Sequence, residues 1–251
     1  MIDREGVTNG IKRKYGVTLR PSWLDRCATH IETELQQQTD DHGPIQHLET
    51  QIRLVYEQLL HSEISASCHP TLETDPATTT VVKMPGPPGV VLQIQEIMDI
   101  GISKFTMWEA LKEKEDFEQR GIRPSYMAPE ENDDNDLGVF TAQGTQMTGN
   151  TTQQEVVDDE REPKIPHGML KLVLTDGKAR FSAIEMQPVP QLSVLLPVGT
   201  KVLVSAGQIL QPTGTLCLLP GNIQVLGGSP AQYQELTLRS RIEKILDIKK
   251  Q

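Results

Sequence analysis

Apolar residues recur at helical spacing in two segments near the start of the chain. The first segment is residues 22–36, and Pro21 and Ser22 at its start favour the beginning of a helix. The second segment is residues 44–60. The stripe residues are Leu24, Cys27, Ala28, Ile31 and Leu35 in the first segment and Ile45, Leu48, Ile52, Val55 and Leu59 in the second. With a weaker helix around residues 7–15, this spacing predicts an N-terminal three-helix bundle over residues 1–62.

The pattern changes twice beyond this bundle. Residues 63–88 are rich in Ser, Thr and Pro and show no apolar period, which predicts a linker. Residues 90–100 then alternate between apolar and polar positions and change phase near Glu96, as a strand does at a β-bulge. A helix is predicted over residues 103–117, beginning at Ser103.

Alternation returns after residue 164. Leu170, Leu172 and Leu174 share one face and are followed by a tight turn at residues 176–177. Further strands are predicted at residues 178–186, 200–205, 215–219 and 223–226. Together with residues 90–100, these are six short segments with short connections between most of them, a pattern from which we predict a five-stranded OB-fold β-barrel.

These elements give an α+β fold. The barrel is predicted over residues 89–228, and a C-terminal helix over residues 229–251. The apolar positions of that helix are Leu238, Ile242, Ile245 and Ile248.

A long polar insertion separates the first two barrel strands, at about residues 116–164. Residues 130–162 carry ten acids against one base, Arg161, so they supply −9 of the formal charge of −10. Such a segment buries too little apolar surface to offset the entropy of ordering it, which predicts an acidic, mobile insertion. The rest of the chain is close to neutral and lacks the basic field of a self-sufficient nucleic-acid binder.

The predicted barrel has little of the chemistry by which OB folds bind single strands. Between residues 165 and 228 the one aromatic residue is Phe181, whereas such barrels stack bases on several exposed rings. Lys171, Lys178 and Arg180 could still make weak DNA contacts that salt would screen. An autonomous single-stranded nucleic-acid-binding OB protein is therefore an alternative and not the leading hypothesis.

No motif in the sequence predicts catalysis. The chain has no G-x-S-x-G, P-loop or H-E-x-x-H motif, and its three cysteines are far apart, without the spacing of a zinc site. We therefore expect a non-catalytic protein with no metal, no other cofactor and no small-molecule substrate. No apolar run reaches the roughly 18 residues of a membrane span, so we also expect an intracellular protein that binds no membrane.

Three stretches of the barrel carry a family resemblance. They are MLKLVLTDG at residues 169–177, IEMQPVPQLSVLLPVGTKVLV at residues 184–204 and GTLCLLPGNIQVLGG at residues 214–228. Upstream stand RPSWLDRC and LQIQEIMDIG. Together they resemble the RecQ-mediated genome instability family, the OB-fold partners of type IA topoisomerase III and of RecQ-type (Bloom/Sgs) helicases. Because the chain ends soon after the first barrel, we expect the short, fungal-type form with a single OB fold.

The resemblance implies a structural and regulatory subunit of a helicase–topoisomerase III complex, with DNA bound indirectly through the complex. The subunit would hold the topoisomerase, bias its gate with the insertion, and promote decatenation and dissolution of double Holliday junctions in the nucleus. For contacts with the topoisomerase gate, the resemblance points to Asn135, Asp136 and Leu137 in the insertion. Leu137, Val139 and Phe140 are also predicted contacts, because they are apolar residues among acids and such residues often anchor an interface.

The resemblance also points to Lys201, with Thr200 and Leu203, as topoisomerase-binding residues on the barrel. Val202 and Val204 would face the barrel interior, which places Lys201 and Leu203 on the outer face. We therefore expect Lys201→Glu to weaken topoisomerase binding and to leave the fold intact. A related family, the Tudor-containing partners of topoisomerase III beta, shares the helical and barrel arrangement. That family has a shorter insertion and Tudor modules that do not occur in this sequence, and it is a second alternative.

Overall fold

A computed structural model describes residues 2–38, 47–72, 86–120, 163–205 and 215–247 of the 251 residues. The chain forms two compact units, one of Met1–Trp108 with Pro166–Gln251 and the other of Glu109–Ile165. The first unit holds both the helical region and the barrel. The second unit corresponds to the predicted insertion, of which residues 121–162 lie outside the described residues.

Three helices form the predicted N-terminal bundle: α1 (Arg4–Tyr15), α2 (Pro21–Gln38) and α3 (Leu48–His61). The Asp3 carboxylate caps α1 by accepting from the N–H of Gly6, and Gly16 ends that helix with a φ of 69°. Most of the described stripe residues meet in one core, in which Ala28 and Val55 are fully buried, whereas Leu48 is exposed and Ile45 lies outside the described residues. The prediction of a three-helix bundle is confirmed.

The start of the predicted linker is folded. A short helix α4 (Ile64–Ser67) follows α3, and Ile64, Cys68 and Leu72 are buried. Cys68 forms a β-bridge with Leu19, and the N–H of Leu72 donates to Oδ2 of Asp176 at 3.0 Å. The prediction of a linker from residue 63 is therefore wrong for residues 63–72. Apolar side chains four residues apart pack this segment, although its composition is that of a linker.

The barrel consists of one curled sheet. Its strands are β1 (Gly89–Asp99), β2 (Leu170–Thr175), β3 (Arg180–Glu185), β4 (Lys201–Ser205), β5 (Thr215–Leu218) and β6 (Ile223–Gly227). Their order is β5-β3-β2-β1-β4-β6, with all pairs antiparallel except β3 and β5. The interior alternates as predicted, because Leu170, Leu172, Leu174, Val202 and Val204 are all fully buried.

The described part of the barrel has six strands where we predicted five. β5 pairs with β3 at one edge of the sheet, and β6 pairs with β4 at the other. Only residues 219–222 separate the two strands, and the Asn222 side chain holds this turn by accepting from Leu219 N–H and donating to the carbonyl of Cys217. Pro220 interrupts what would be one long closing strand, because it cannot donate to a ladder. The two halves still join the sheet edges, as the predicted barrel requires.

β1 contains a bulge and is followed by a helix. Gln95 is the extra residue of β1, between the pairs Ile94–Leu174 and Glu96–Val173. Helix α5 (Lys104–Arg120) begins after Ser103, whose hydroxyl accepts from the N–H of Thr106, and it runs three residues beyond the predicted end.

The C-terminal helix is shorter than predicted. Helix α6 spans Leu238–Ile245, and a 3-10 turn precedes it at Ala231–Tyr233. Leu238 and Ile242 are buried, whereas Ile245 is exposed and Ile248 lies outside the described residues. Among all the described helices, none is both long enough and apolar enough to cross a membrane.

Candidate docking site at the neck of the insertion

The two limbs of the insertion leave and re-enter the barrel side by side, at the end of β1 and the start of β2. We call residues 99–102 and 167–170 the neck. The Asp99 carboxylate is 1% exposed and holds both limbs. Its Oδ1 accepts from the N–H groups of Gly101 and Ile102 at 2.8 and 2.9 Å. Its Oδ2 accepts from the N–H of Gly168 at 2.6 Å. One buried carboxylate thus fixes the distance between the limbs.

Two glycines allow the limbs of the neck to lie in contact. A Cβ on Gly101 would lie 2.9 Å from the backbone nitrogen of Met169, and a Cβ on Gly168 would lie 2.8 Å from Oδ1 of Asp99. Both distances are shorter than any real Cβ contact, so a larger residue at either position would push the limbs apart.

A second buried carboxylate anchors the returning limb. Glu185 is 3% exposed, and its Oε2 accepts from Nε2 of His167 at 3.0 Å and from the N–H of Leu170 at 3.2 Å. Its Oε1 accepts from the N–H of Val189 at 2.7 Å. Each of the two carboxylates accepts hydrogen bonds from three donors, so both limbs are held in place where they join the barrel.

The neck carries exposed apolar side chains. The N–H of Ile100 donates to the carbonyl of Met169 at 2.8 Å, directly beyond the paired residues Asp99 and Leu170. Ile100 and Met169 are therefore neighbours on one face of the ladder, with exposed fractions of 47% and 40%. Phe105, in the first turn of α5, is 60% exposed. Exposed aromatic and aliphatic side chains on a rigid base are the usual anchors of a protein interface.

The prediction that Lys201 lies exposed on the barrel is wrong. Lys201 lies on the outer face of β4 as predicted. The helical bundle covers that face, however, and Lys201 is 1% exposed. Its Nζ donates to the carbonyls of Leu60 and Ser62, at 2.8 and 2.5 Å. These carbonyls stand at the C-terminal end of α3, where a cation satisfies acceptors that the helix leaves unpaired. Lys201 thus joins the barrel to the bundle.

The other two predicted barrel residues differ in exposure. Thr200 is 1% exposed, and its hydroxyl donates to the carbonyl of Pro197 at 2.7 Å. Leu203 is half-buried and packs against the core of the helical bundle. Thr200 and Lys201 are thus covered by this chain itself and offer no free surface to a partner, whereas Leu203 keeps a partly exposed side chain.

A polar network surrounds Lys201. The amide of Gln93, which pairs with Lys201 across β1 and β4, donates to both oxygens of the Glu63 carboxylate at 2.9 and 3.0 Å. Gln232 donates to the same carboxylate at 2.9 Å. Burial lowers the pKa of Lys201 to about 8, and the nearby charge of Glu63 opposes that shift. The network is a structural joint between the bundle and the barrel.

The predicted DNA-contact residues are exposed but do not form one groove. Lys171 pairs with Ile184, whereas Arg180 pairs with Thr175 at the other end of the same hairpin. Four residues of strand separate the two ends, which is about 13 Å. Phe181, the one aromatic residue between residues 165 and 228, is 1% exposed and has no free face for a base. The described barrel surface therefore has no stacking platform of the kind that OB folds use.

The remaining predicted features have no described site. The five residues predicted to contact the topoisomerase gate, Asn135, Asp136, Leu137, Val139 and Phe140, lie outside the described residues. Within the described ranges, no group of three His, Cys, Asp or Glu side chains could hold a metal ion. Cys27 and Cys68 are buried, and burial raises the pKa of each thiol to about 11. Both therefore remain protonated at neutral pH.

Sequence reasoning did not find the neck. The signals were present, since Asp99 ends the first strand and a glycine stands in each limb, at Gly101 and Gly168. Their meaning depends on the two limbs lying side by side, which the spacing along the chain does not show.

Two family models match the chain. The model described as RMI1, N-terminal helical domain, matches residues 11–67, and the model described as RMI1, N-terminal OB-fold domain, matches residues 66–241. The boundary between them falls within α4, as expected if α4 connects the bundle to the barrel.

Several curated proteins named RecQ-mediated genome instability protein 1 are similar to the chain. The protein from Mus musculus is 29% identical over 230 residues, which are 92% of this chain and 30% of that protein. The protein from Danio rerio is 27% identical over 234 residues, which are 92% of this chain and 37% of that protein. The protein from Gallus gallus is 46% identical over 63 residues, which are 25% of this chain and 10% of that protein. The chain thus spans about a third of the length of the first two relatives.

Proposed function

The chain belongs to the RMI1 family, and from that membership we propose that it is a non-catalytic subunit of a RecQ-pathway complex that maintains genome stability. In this proposal the chain binds a type IA topoisomerase III and acts beside a RecQ-type (Bloom/Sgs) helicase in the nucleus. It promotes decatenation and the dissolution of double Holliday junctions. DNA reaches the chain indirectly, through the complex.

The neck is the observation that carries this proposal. Asp99 and Glu185 fix the base of the insertion, and three apolar side chains around that base, Ile100, Phe105 and Met169, face solvent. A rigid apolar base is suited to hold a partner while the insertion reaches into it. We propose that the topoisomerase docks on the neck and that Lys201 acts only within the fold.

The insertion would act on the topoisomerase gate. The charge of −9 on its residues 130–162 suits a segment that enters a basic DNA channel without staying bound there. A segment can bias a gate only through contacts that differ between the open and closed states, so the insertion would have to contact the open state better. That preference is the regulatory part of the proposal.

The two alternatives have less support. Autonomous binding of single strands would need exposed rings in a positive groove, whereas Phe181 is buried and Lys171 and Arg180 stand at opposite ends of a hairpin. A partner of topoisomerase III beta of the Tudor-containing type is less well supported, because both matching models are of RMI1 domains.

Binding measurements on neck variants test the docking proposal. Phe105→Ser and Ile100→Ser each remove an exposed apolar side chain and leave the Asp99 hydrogen bonds intact. We expect each to weaken binding to a purified type IA topoisomerase III by about tenfold, as the loss of an interface anchor does. Leu48→Ser is the matched control, since Leu48 is exposed to a similar extent at the start of α3. Equal affinity of the parent and both neck variants, measured by isothermal titration calorimetry, would remove the neck from the interface.

A further inference from the structure

An apolar groove of about 410 Å³ lies between the second half of β1, the first turn of α5 and helix α6. Its deep wall includes Ile97, Met107 and Ile242, which are buried. Its rim includes Leu236 and Ile245, which are 43% and 53% exposed. A concave apolar surface with exposed aliphatic side chains at its rim is suited to receive apolar groups from a partner.

The floor of the groove is an unpaired strand edge. β4 pairs with β1 only as far as Gln93 and Ile94, so from Gln95 to Asp99 the described strands pair with β1 on the β2 side alone. Cations already occupy two carbonyls of this edge: Arg241 donates to the carbonyl of Ile97, and Lys104 donates to that of Asp99. An added strand would have to displace both. The groove is therefore suited to an occupant held by side-chain contacts and not by strand addition.

One polar atom in the groove lacks a partner. Gln95 is the bulged residue of β1, and its Oε1 is buried without a hydrogen bond to any described residue. Gln95 is also one of the residues that line the groove. A buried amide oxygen without a donor is costly, so if the Gln95 side chain turned toward an N–H group of an occupant, it would gain a hydrogen bond that the free protein lacks.

The charges at the groove favour an acidic occupant. Three bases line it, Lys104, Arg241 and Lys244, and the acids that line it are Glu96 and Asp99. The Asp99 carboxylate accepts three backbone hydrogen bonds at the neck, and Lys104 and Arg241 donate to carbonyls of β1, so the lining residues together carry three positive and two negative formal charges. On a chain with a net charge of −10, this is a locally basic surface, and it selects a carboxylate beside the apolar groups.

We propose that this groove binds a short acidic and apolar segment of a partner protein. The segment inserts one or two apolar side chains between Ile97 and Ile245, donates an N–H to Oε1 of Gln95, and places a carboxylate beside Lys244. This binding does not depend on the proposed topoisomerase docking at the neck.

A random peptide library provides the probe. Phage that display random 12-residue peptides are selected on the full chain, and the most enriched peptide is labelled with fluorescein for anisotropy titrations. The groove variants are Lys244→Glu, Ile245→Glu and Gln95→Leu. The matched controls are Lys178→Glu for the charge reversal and Met186→Glu for the apolar position, because Lys178 is exposed and Met186 is 55% exposed, and neither residue lines the groove. Circular dichroism with thermal unfolding verifies that each variant is folded.

The proposal predicts enriched peptides that combine Asp or Glu with Leu, Ile, Phe or Met. Their affinity should fall by about tenfold or more in Lys244→Glu and Ile245→Glu, and by about threefold in Gln95→Leu. The two control variants should bind as the parent does. Enriched peptides without acids, an affinity that the groove variants leave unchanged, or no enrichment at all would each overturn the proposal.

Two further measurements separate other occupants. Sedimentation velocity would detect a second copy of the chain in the groove as a concentration-dependent dimer that Ile245→Glu abolishes, and that result would overturn the proposal. The second measurement repeats the anisotropy titration in the presence of saturating topoisomerase III, and the affinity for the peptide should be unchanged. Displacement of the peptide by the topoisomerase would make the groove part of the topoisomerase interface and would overturn a separate partner site.

Discussion

Charge reversal at Lys201 distinguishes a residue that joins two parts of the fold from one that binds a partner. In the parent, Nζ of Lys201 donates to the carbonyls of Leu60 and Ser62, and the Glu63 carboxylate is close enough to affect its pKa. In Lys201→Glu a shorter, acidic side chain faces two carbonyl oxygens and a second carboxylate. All of these groups are acceptors, so the carbonyls of Leu60 and Ser62 lose the donor that Lys201 provides, and the new side chain cannot replace it.

The expected cost follows from the contacts that are lost. Hydrogen bonds to a charged group contribute about 1.5–3 kcal/mol each, and breaking a buried charged contact by removing one partner costs about 3–5 kcal/mol. Because the two carbonyls lie in the same contact, we expect a loss of about 3–5 kcal/mol and not the sum of both figures. A domain of this kind has a total stability of about 5–15 kcal/mol, so the variant should be measurably less stable or largely unfolded.

Urea unfolding followed by tryptophan fluorescence measures this loss. Trp23 packs against the helical core, so its emission reports on the part of the fold that Lys201 supports. Lys178→Glu is the control, because Lys178 is exposed at a turn, and its free energy of unfolding should stay within about 0.5 kcal/mol of the parent. A Lys201→Glu variant as stable as this control would refute the structural role and restore Lys201 as a candidate docking residue.

Three further predictions concern pH, the neck and the insertion. Burial lowers the pKa of Lys201 from 10.5 to about 8, so between these values the unfolded chain keeps a proton that the folded chain releases. The stability of the parent relative to Lys201→Met should therefore rise with pH across that window, and a flat or falling difference in chemical denaturation would contradict this. Asp99→Ala leaves three N–H groups of the neck without their acceptor, so it should lower the free energy of unfolding by about 2–4 kcal/mol. It should also speed amide hydrogen exchange at Gly101 and Gly168, and unchanged exchange would show that Asp99 does not hold the neck. Replacing residues 121–162 with a Gly-Ser linker of about 12 residues should keep the affinity for topoisomerase III within about threefold and reduce decatenation, and equal decatenation by both proteins would end the gating proposal.

Local pattern was enough to predict most of the fold. The alternation of Leu170, Leu172 and Leu174 corresponds to the observed β2. The phase change near Glu96 corresponds to the bulge of β1. Composition was a poorer guide at residues 63–72, where buried Ile64 and Cys68 pack a segment that otherwise has the residues of a linker. A few apolar side chains at suitable spacing can order a short segment when a neighbouring domain covers them.

The candidate site was harder to predict, because it depends on contacts between distant parts of the chain. Strand alternation correctly placed Lys201 on the outer face of β4, but it could not show that α3 ends over that face. Likewise, Asp99 and Gly168 are 69 residues apart and meet only because the insertion begins and ends at one point. Periodicity shows which face a side chain occupies, and only the tertiary structure shows what covers that face.

Binding of the purified chain to a type IA topoisomerase III and to a fluorescent single-stranded oligonucleotide, measured separately near physiological salt, tests the central claim most directly. The proposed function predicts tight binding to the topoisomerase and negligible binding to the oligonucleotide, because Phe181 is buried and the basic residues of the barrel are dispersed. Tight binding to the oligonucleotide without affinity for the topoisomerase would contradict the proposed function and would favour an autonomous single-strand binder.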